Sequence, residues 1–173
     1  MKRIAIIGNA GSGKSYLSIK LSEILNLPVY HLDQYYWKPD WQRPTKEEFD
    51  KVHKELVNKD KWILEGPYIK FIEPRFQAAD TIIFIDLPTW FCFLRIFKRA
   101  FSNWGKITSL SPKGCPEGFN KEFLTWVWNF EKKYHKYLFD LFEKYKDSKK
   151  IYILSSRKEV NEFIKKLKQT NII

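Results

Sequence analysis

Gly8, Gly13, Lys14 and Ser15 stand in the spacing G-x-x-x-x-G-K-[ST], within MKRIAIIGNAGSGKS. The apolar run Ile4 to Ile7 reads as a strand buried on both faces, and Tyr16, Leu17 and Ile19 continue in helical spacing. Strand, glycine loop and helix in that order make a phosphate cradle. Backbone N–H groups turn inward on the anion, and the helix N-terminus adds partial positive charge. Gly8, Ala10, Gly11, Ser12, Gly13, Lys14, Ser15 and Tyr16 are the candidate nucleotide contacts. Lys14 would reach the β- and γ-phosphates of ATP, and the Ser15 hydroxyl would ligate Mg²⁺.

A chain of 173 residues, 44% hydrophobic and 29% charged, suits one globular domain. Its net charge of +11 fits either nucleic-acid binding or a site for small polyanions with excess lysine on solvated helices, and the second is favoured. Two cysteines, Cys92 and Cys115, make neither a disulfide framework nor a zinc site, which points to a reducing cytoplasm. Leu87 to Phe97 is broken by Pro88 and Arg95, so no membrane span is expected.

Lys14 to Asn26 reads as the first helix, and Pro28 to Asp33 as a second strand that puts Asp33 at its carboxyl end with His31 pointing the same way. Ligands of parallel sheets gather at those ends. Gln34 to Pro44 fits neither strand nor helix. Its Tyr35, Tyr36, Trp37 and Trp41 either wall a pocket or plug the gap under the next helix. Thr45 and Glu48 form a capping box for a helix to about Asn58, just after Arg43, a candidate for an acceptor phosphate. Lys61 to Glu65 is the third strand; Glu65 and Gly66 suit a metal or acceptor contact, and Arg75 follows in a short helix.

Thr81 to Asp86 reads as a central strand, with Asp86 either a metal-shell acid or a structural cap. Thr89 to Phe101 is a helix whose Arg95 and Arg99, four apart, share one face and suit the oxygens of a transferring phosphoryl group. Ser102 to Asn120 is long, aperiodic and glycine-containing, hence a candidate lid. A long aromatic helix from Lys121 to Lys146, a strand Ile151 to Leu154 and a final helix capped by Ser156 and Glu159 complete the chain. Arg157 falls in the loop after the last strand, where purines often lie in such sites.

This order resembles the P-loop nucleoside and nucleotide kinases related to adenylate kinase, and more narrowly the bacterial DNA topology modulation (FlaR-like) proteins. The resemblance rests on GNAGSGKS, HLDQYYWKPDW, WILEGPY, ADTIIFIDLP, Arg95 with Arg99, GCPEGF and FLTWVWNF. It implies a three-layer α/β/α domain over residues 1–173 with a five-stranded parallel sheet in the order 2-3-1-4-5. An acceptor-binding excursion would span 34–60, and a lid 102–120. Arg95 and Arg99 match the lid arginines, 155–157 the adenine-contacting loop, and Asp33 a position that contacts the acceptor. Glu65 stands where Asp usually holds Mg²⁺ through water; Asp86 is the other candidate.

The reaction expected is transfer of the γ-phosphoryl group of ATP to a small hydroxyl- or phosphate-bearing acceptor, a nucleoside, nucleotide or similar metabolite, with Lys14, Asp33, Arg95 and Arg99 as catalytic residues. Asp33, Tyr36, Trp37, Arg43, Glu65, Gly66 and Arg75 would bind the acceptor. The other reading is a nucleotide-dependent DNA-binding regulator. The chain would be a monomer or homodimer.

Overall fold

The computed structural model describes residues 1–118 and 120–170. Phe119, the last residue of the GCPEGF motif, and residues 171–173 lie outside the described residues. Five parallel strands, β1 (Arg3–Gly8), β2 (Val29–His31), β3 (Trp62–Glu65), β4 (Thr81–Ile85) and β5 (Lys150–Leu154), form one sheet in the order β2-β3-β1-β4-β5. That is the expected order. The central strand is β1, whose Ile4 to Ile7 are at most 1% exposed.

Alternation along β1 feeds two cores. Ala5 and Ile7 face one, with Leu64, Ile82 and Phe84 beneath helices α3 (Lys46–Val57), α4 (Ile72–Ala78) and α6 (Lys121–Tyr145). Ile4 and Ile6 face the other, with Ile63, Ile83 and Ile85 beneath α1 (Lys14–Leu25) and α7 (Arg157–Thr170). Helices on both faces are what a sheet with no polar side requires. Each fully buried large apolar chain, such as Trp62 or Phe76, contributes about 1.5–3 kcal/mol from removal from water.

The second strand is shorter than its sequence suggests. It ends at His31, opposite Glu65, the last residue of β3, so no ladder partner remains for Leu32 and Asp33. The chain turns instead into a short helix, α2 (Leu32–Tyr36), and buries Leu32 completely. Asp33 therefore sits in the first turn of a helix rather than on the strand. The 34–44 stretch is also more ordered than expected: α2 takes its start, and a 3₁₀ turn at Pro39–Trp41 lies inside a Lys38–Gln42 bridge. The capping box forms as read, with the Glu48 amide donating to Thr45 Oγ1 and the Thr45 amide to Glu48 Oε2.

Helix α5 (Thr89–Ser102) leads into the expected lid segment, whose described residues form no regular element between α5 and α6. The segment nonetheless closes on itself: Gly105 N–H donates to the Glu117 carbonyl and Glu117 N–H to that of Lys106. Arg157 is the first residue of α7, not a loop residue, because Glu159 and Ser156 cap the helix immediately before it.

Candidate active site

The glycine loop is held open by the elements around it. Gly13 ends the loop at φ 104°, a conformation that favours glycine, and caps α1. Gly11, at φ 78°, lies so close to α5 that a Cβ there would be 2.5 Å from the Cys92 carbonyl oxygen. Asn9 anchors the loop from the other side, its amide Nδ2 donating to the Val127 carbonyl of α6 at 2.9 Å. Lys14 is 8% exposed and donates to the Asn9 carbonyl at 2.9 Å. Burial lowers its pKa, against the opposing pull of Glu65 and Asp33. The Ser12 hydroxyl is buried without a partner. A buried lysine, an unsatisfied hydroxyl and the N-terminus of α1 together fit the phosphates of a nucleotide.

Beside it, Ser15 Oγ donates to Glu65 Oε1 at 2.8 Å, and His31 Nδ1 donates to the same oxygen at 2.6 Å. Burial pushes the Glu65 pKa up, but His31, Lys14 and Ser15 outweigh it and hold the group below the usual range. The Tyr68 hydroxyl donates to Asp33 Oδ1 at 2.5 Å. Crowding by protein and then the charge of Glu65 raise the Asp33 pKa, while Tyr68 pulls it back; Asp33 remains solvent-exposed as a residue, so water damps the rise. Ser15 and Glu65 offer the hard oxygen donors that Mg²⁺ prefers. Among the described residues no three His, Cys, Asp or Glu side chains gather as a metal cluster.

The two arginines of α5 have separate partners. Arg95 Nη1 reaches the Ser12 carbonyl at 3.4 Å and would meet a Cβ on Gly13 at the same distance. Burial, then the positive fields of Arg157 and Arg99, lower its pKa, so three guanidinium groups share this end of the loop. Arg99 Nε pairs with Glu117 Oε2 of the lid segment at 3.3 Å, and Glu117 is 8% exposed. The lid segment is stitched to the 34–42 stretch: Asp40 N–H donates to the Gly114 carbonyl, Trp41 Nε1 to that of Pro116 and Cys115 Sγ to that of Lys38.

The other expected site residues have surroundings of their own. Arg43 pairs with Glu122 at an exposed position. Asp86 faces His135 Nε2 at 3.0 Å, and Glu65 rather than Asp86 is bonded to Ser15. Tyr36 packs among Trp37, Phe49 and Tyr68, with ring centroids 4.7–5.0 Å away, which favours the plug over the open wall. Tyr16 is exposed. Arg75 is fully buried with Nη1 on the Gly66 carbonyl.

Asn9, Tyr68, Glu117 and His53 were not legible as site residues. Asn9 occupies a free position of the loop motif, and the partners of Tyr68 and Glu117 are distant in sequence. His53 alone left a signal, since it follows Phe49 by one helical turn on the inward face.

No protein-family model matches the chain. Solved structures share its fold from end to end. Shikimate kinase from Bacteroides thetaiotaomicron superposes with a TM-score of 0.56 at 15% identity, over 99% of both chains. A gluconokinase from Sinorhizobium meliloti 1021 gives 0.54 at 12%, over 99% of this chain and 94% of its own. The molecule therefore has the fold of the P-loop kinases. Over 130 residues it is 30% identical to the uncharacterized protein YqaC of Bacillus subtilis (strain 168), spanning 73% of this chain and 71% of YqaC. The chain belongs to the YqaC family.

Proposed function

We propose that the chain is an ATP-dependent phosphotransferase acting on a hydroxyl of a small acceptor. The observation that carries this reading is the Asp33 carboxylate holding a hydroxyl, that of Tyr68, close to the Ser15–Glu65 pair and the cradle. An alcohol in place of the Tyr68 hydroxyl would give Asp33 its proton as its oxygen bonds to the γ-phosphorus. The bond from that phosphorus to the β–γ bridging oxygen breaks, and ADP leaves.

Gly8, Ala10, Gly11, Ser12, Gly13 and Tyr16 line the donor phosphates, and Lys14 exchanges the Asn9 carbonyl for them. Arg157 and the turn before it flank the adenine. Ser15, and Glu65 through water, would hold Mg²⁺, which would supply positive charge against the phosphates. Arg95 and Arg99 face the equatorial oxygens, Arg99 exchanging Glu117 for them. Residues 34–60, with Tyr36, Trp37, Arg43 and Gly66, form the acceptor side, and 102–120 the lid of a single domain. A cytoplasmic setting suits its two free, buried cysteines.

The charge of +11 supports a second reading, a nucleotide-gated DNA-binding regulator like the topology modulation proteins. ATP consumption against a panel of small alcohols, run beside DNA binding as a function of salt, separates the two. An acceptor turned over at micromolar concentration supports the kinase. DNA affinity that falls steeply with salt, with no acceptor found, supports the regulator.

A further inference from the structure

Arg75, on α4, is 0% exposed, and its Nη1 donates to the Gly66 carbonyl at 2.8 Å. Its Nε and Nη2 have no hydrogen-bond partner. His53, on α3 and 1% exposed, leaves Nε2 without a partner too, and lies near enough for the Arg75 charge to act on it. Among the described residues no carboxylate pairs with Arg75. The charge of Glu65 reaches it, but Glu65 Oε1 is engaged by Ser15 and His31.

A guanidinium sealed from water without a counter-charge is strongly unfavourable. Buried waters would satisfy its N–H groups and leave that charge unpaired. Nε and Nη2 form one edge of the guanidinium, two parallel donors spaced for both oxygens of a carboxylate or for two of a phosphate. The Nη1 bond ties Arg75 to Gly66, in the turn after β3 that also carries Tyr68, whose hydroxyl meets Asp33.

We infer that the acceptor is an alcohol bearing an anionic group, a hydroxy acid or a phosphorylated polyol. Its anionic group is held on the Nε/Nη2 edge of Arg75 while its hydroxyl meets Asp33. The inference rests on the kinase reading and narrows it. The Tyr68 ring lies against Gly66, whose carbonyl holds Arg75, and packs 5.2 Å from Phe49 and 4.7 Å from Tyr36. A hydroxyl arriving at Asp33 displaces that of Tyr68, and the released ring uncovers Arg75. Arg75 is then the residue that tells an anionic alcohol from a neutral one.

The test measures ATP consumption by the full chain with Mg²⁺ against hydroxy acids, phosphorylated polyols and neutral polyols of matched size. Turnover of one anionic class about 10²-fold or more above its neutral counterpart is expected, since a site built to bond a group rejects the analogue lacking it. The two anionic arms decide between carboxylate and phosphate. Arg75→Lys keeps the charge and loses the paired donors, so it should raise KM for the anionic acceptor with little change in kcat. Equal turnover of neutral alcohols, or an unchanged KM in Arg75→Lys, overturns the inference.

Should that variant fail to fold, the Arg75 Nε–H resonance of the wild-type chain reads the site directly. It should shift with the anionic acceptor and stay fixed with acetate or inorganic phosphate at equal concentration. A resonance that no member of the panel moves marks a site filled by buried water only and overturns the inference. ATP consumption with no acceptor at all would sink the kinase reading instead, and the resonance still reports separately whether the anion binds.

Discussion

Ser15 Oγ and Glu65 Oε1 lie 2.8 Å apart although 50 positions separate them in the chain. The parallel ladder explains the meeting. Ile6 of β1 pairs with Glu65 of β3, so the acid at the end of one strand lies beside the loop that leaves the other. His31, from the strand on the far side of β3, closes on the same oxygen at 2.6 Å. Three adjacent strand ends thus deliver one charged cluster without any long-range search by flexible side chains.

Glu65→Gln tests that cluster. The amide keeps the size and loses the charge, and losing a group that orients a metal and its waters typically costs 10- to 100-fold. The Mg²⁺ concentration for half-maximal phosphotransfer should rise by about that factor, with the nucleotide-induced rise in Tm in the absence of Mg²⁺ little changed. An unaltered Mg²⁺ dependence would place the ion elsewhere, with Asp86 the next residue to substitute.

The loop, the apolar strands and the α3 cap were legible because each is written in contiguous residues, while the strand order came from the family resemblance. Glycine spacing, apolar runs and Thr45 with Glu48 need no knowledge of distant chain. What the sequence hid depends on partners far away. Leu32 and Asp33 continue an apolar alternation, and only the end of β3 at Glu65 stops the strand before them. Arg99 reads as a free cation until the lid segment returns with Glu117. Arg75 reads as an acceptor contact from a short helix, and its sequence gives no sign that α4 buries it completely.

Arg99→Ala removes a guanidinium that Glu117 holds in place. If it exchanges that carboxylate for the transferring phosphoryl group, turnover should fall by roughly 10³-fold or more while ATP affinity changes only a few-fold. Single-turnover kinetics beside nucleotide titration separates the two effects. Equal turnover in the variant would remove Arg99 from the catalytic set.

Gly11→Ala introduces a Cβ that would lie 2.5 Å from the Cys92 carbonyl, at φ 78°. The nearest atom is helix backbone, which cannot yield as the Ile96 side chain could, so the loop must move away from α5. Alanine forced to positive φ destabilises by more than about 1 kcal/mol, and the displaced amides should weaken nucleotide binding as well. A lowered Tm together with a smaller nucleotide-induced shift is the expected pair of results. A normal shift on the lowered baseline would mean that the cradle tolerates the displacement.

His53 sets a pH dependence of stability with a definite sign. Burial, then the charge of Arg75, lowers its pKa from the ordinary 6.5 to about 4. The folded chain therefore keeps His53 neutral where the unfolded chain already binds a proton. Above pH 6.5 the group contributes nothing to the slope; as pH falls from about 6.5 to about 4, protons favour the unfolded state. Each pH unit in that window is worth about 1.4 kcal/mol, so His53 withdraws about 3 kcal/mol in all. Below about pH 4 both states are protonated and the loss stops growing. Glu65, held below its usual range, also loses stability on acidification, so the wild-type curve alone does not isolate His53. His53→Gln does: its Tm relative to wild type should climb in the variant's favour between pH 6.5 and pH 4, then level off. A constant difference across that range would show that His53 is protonated inside the fold.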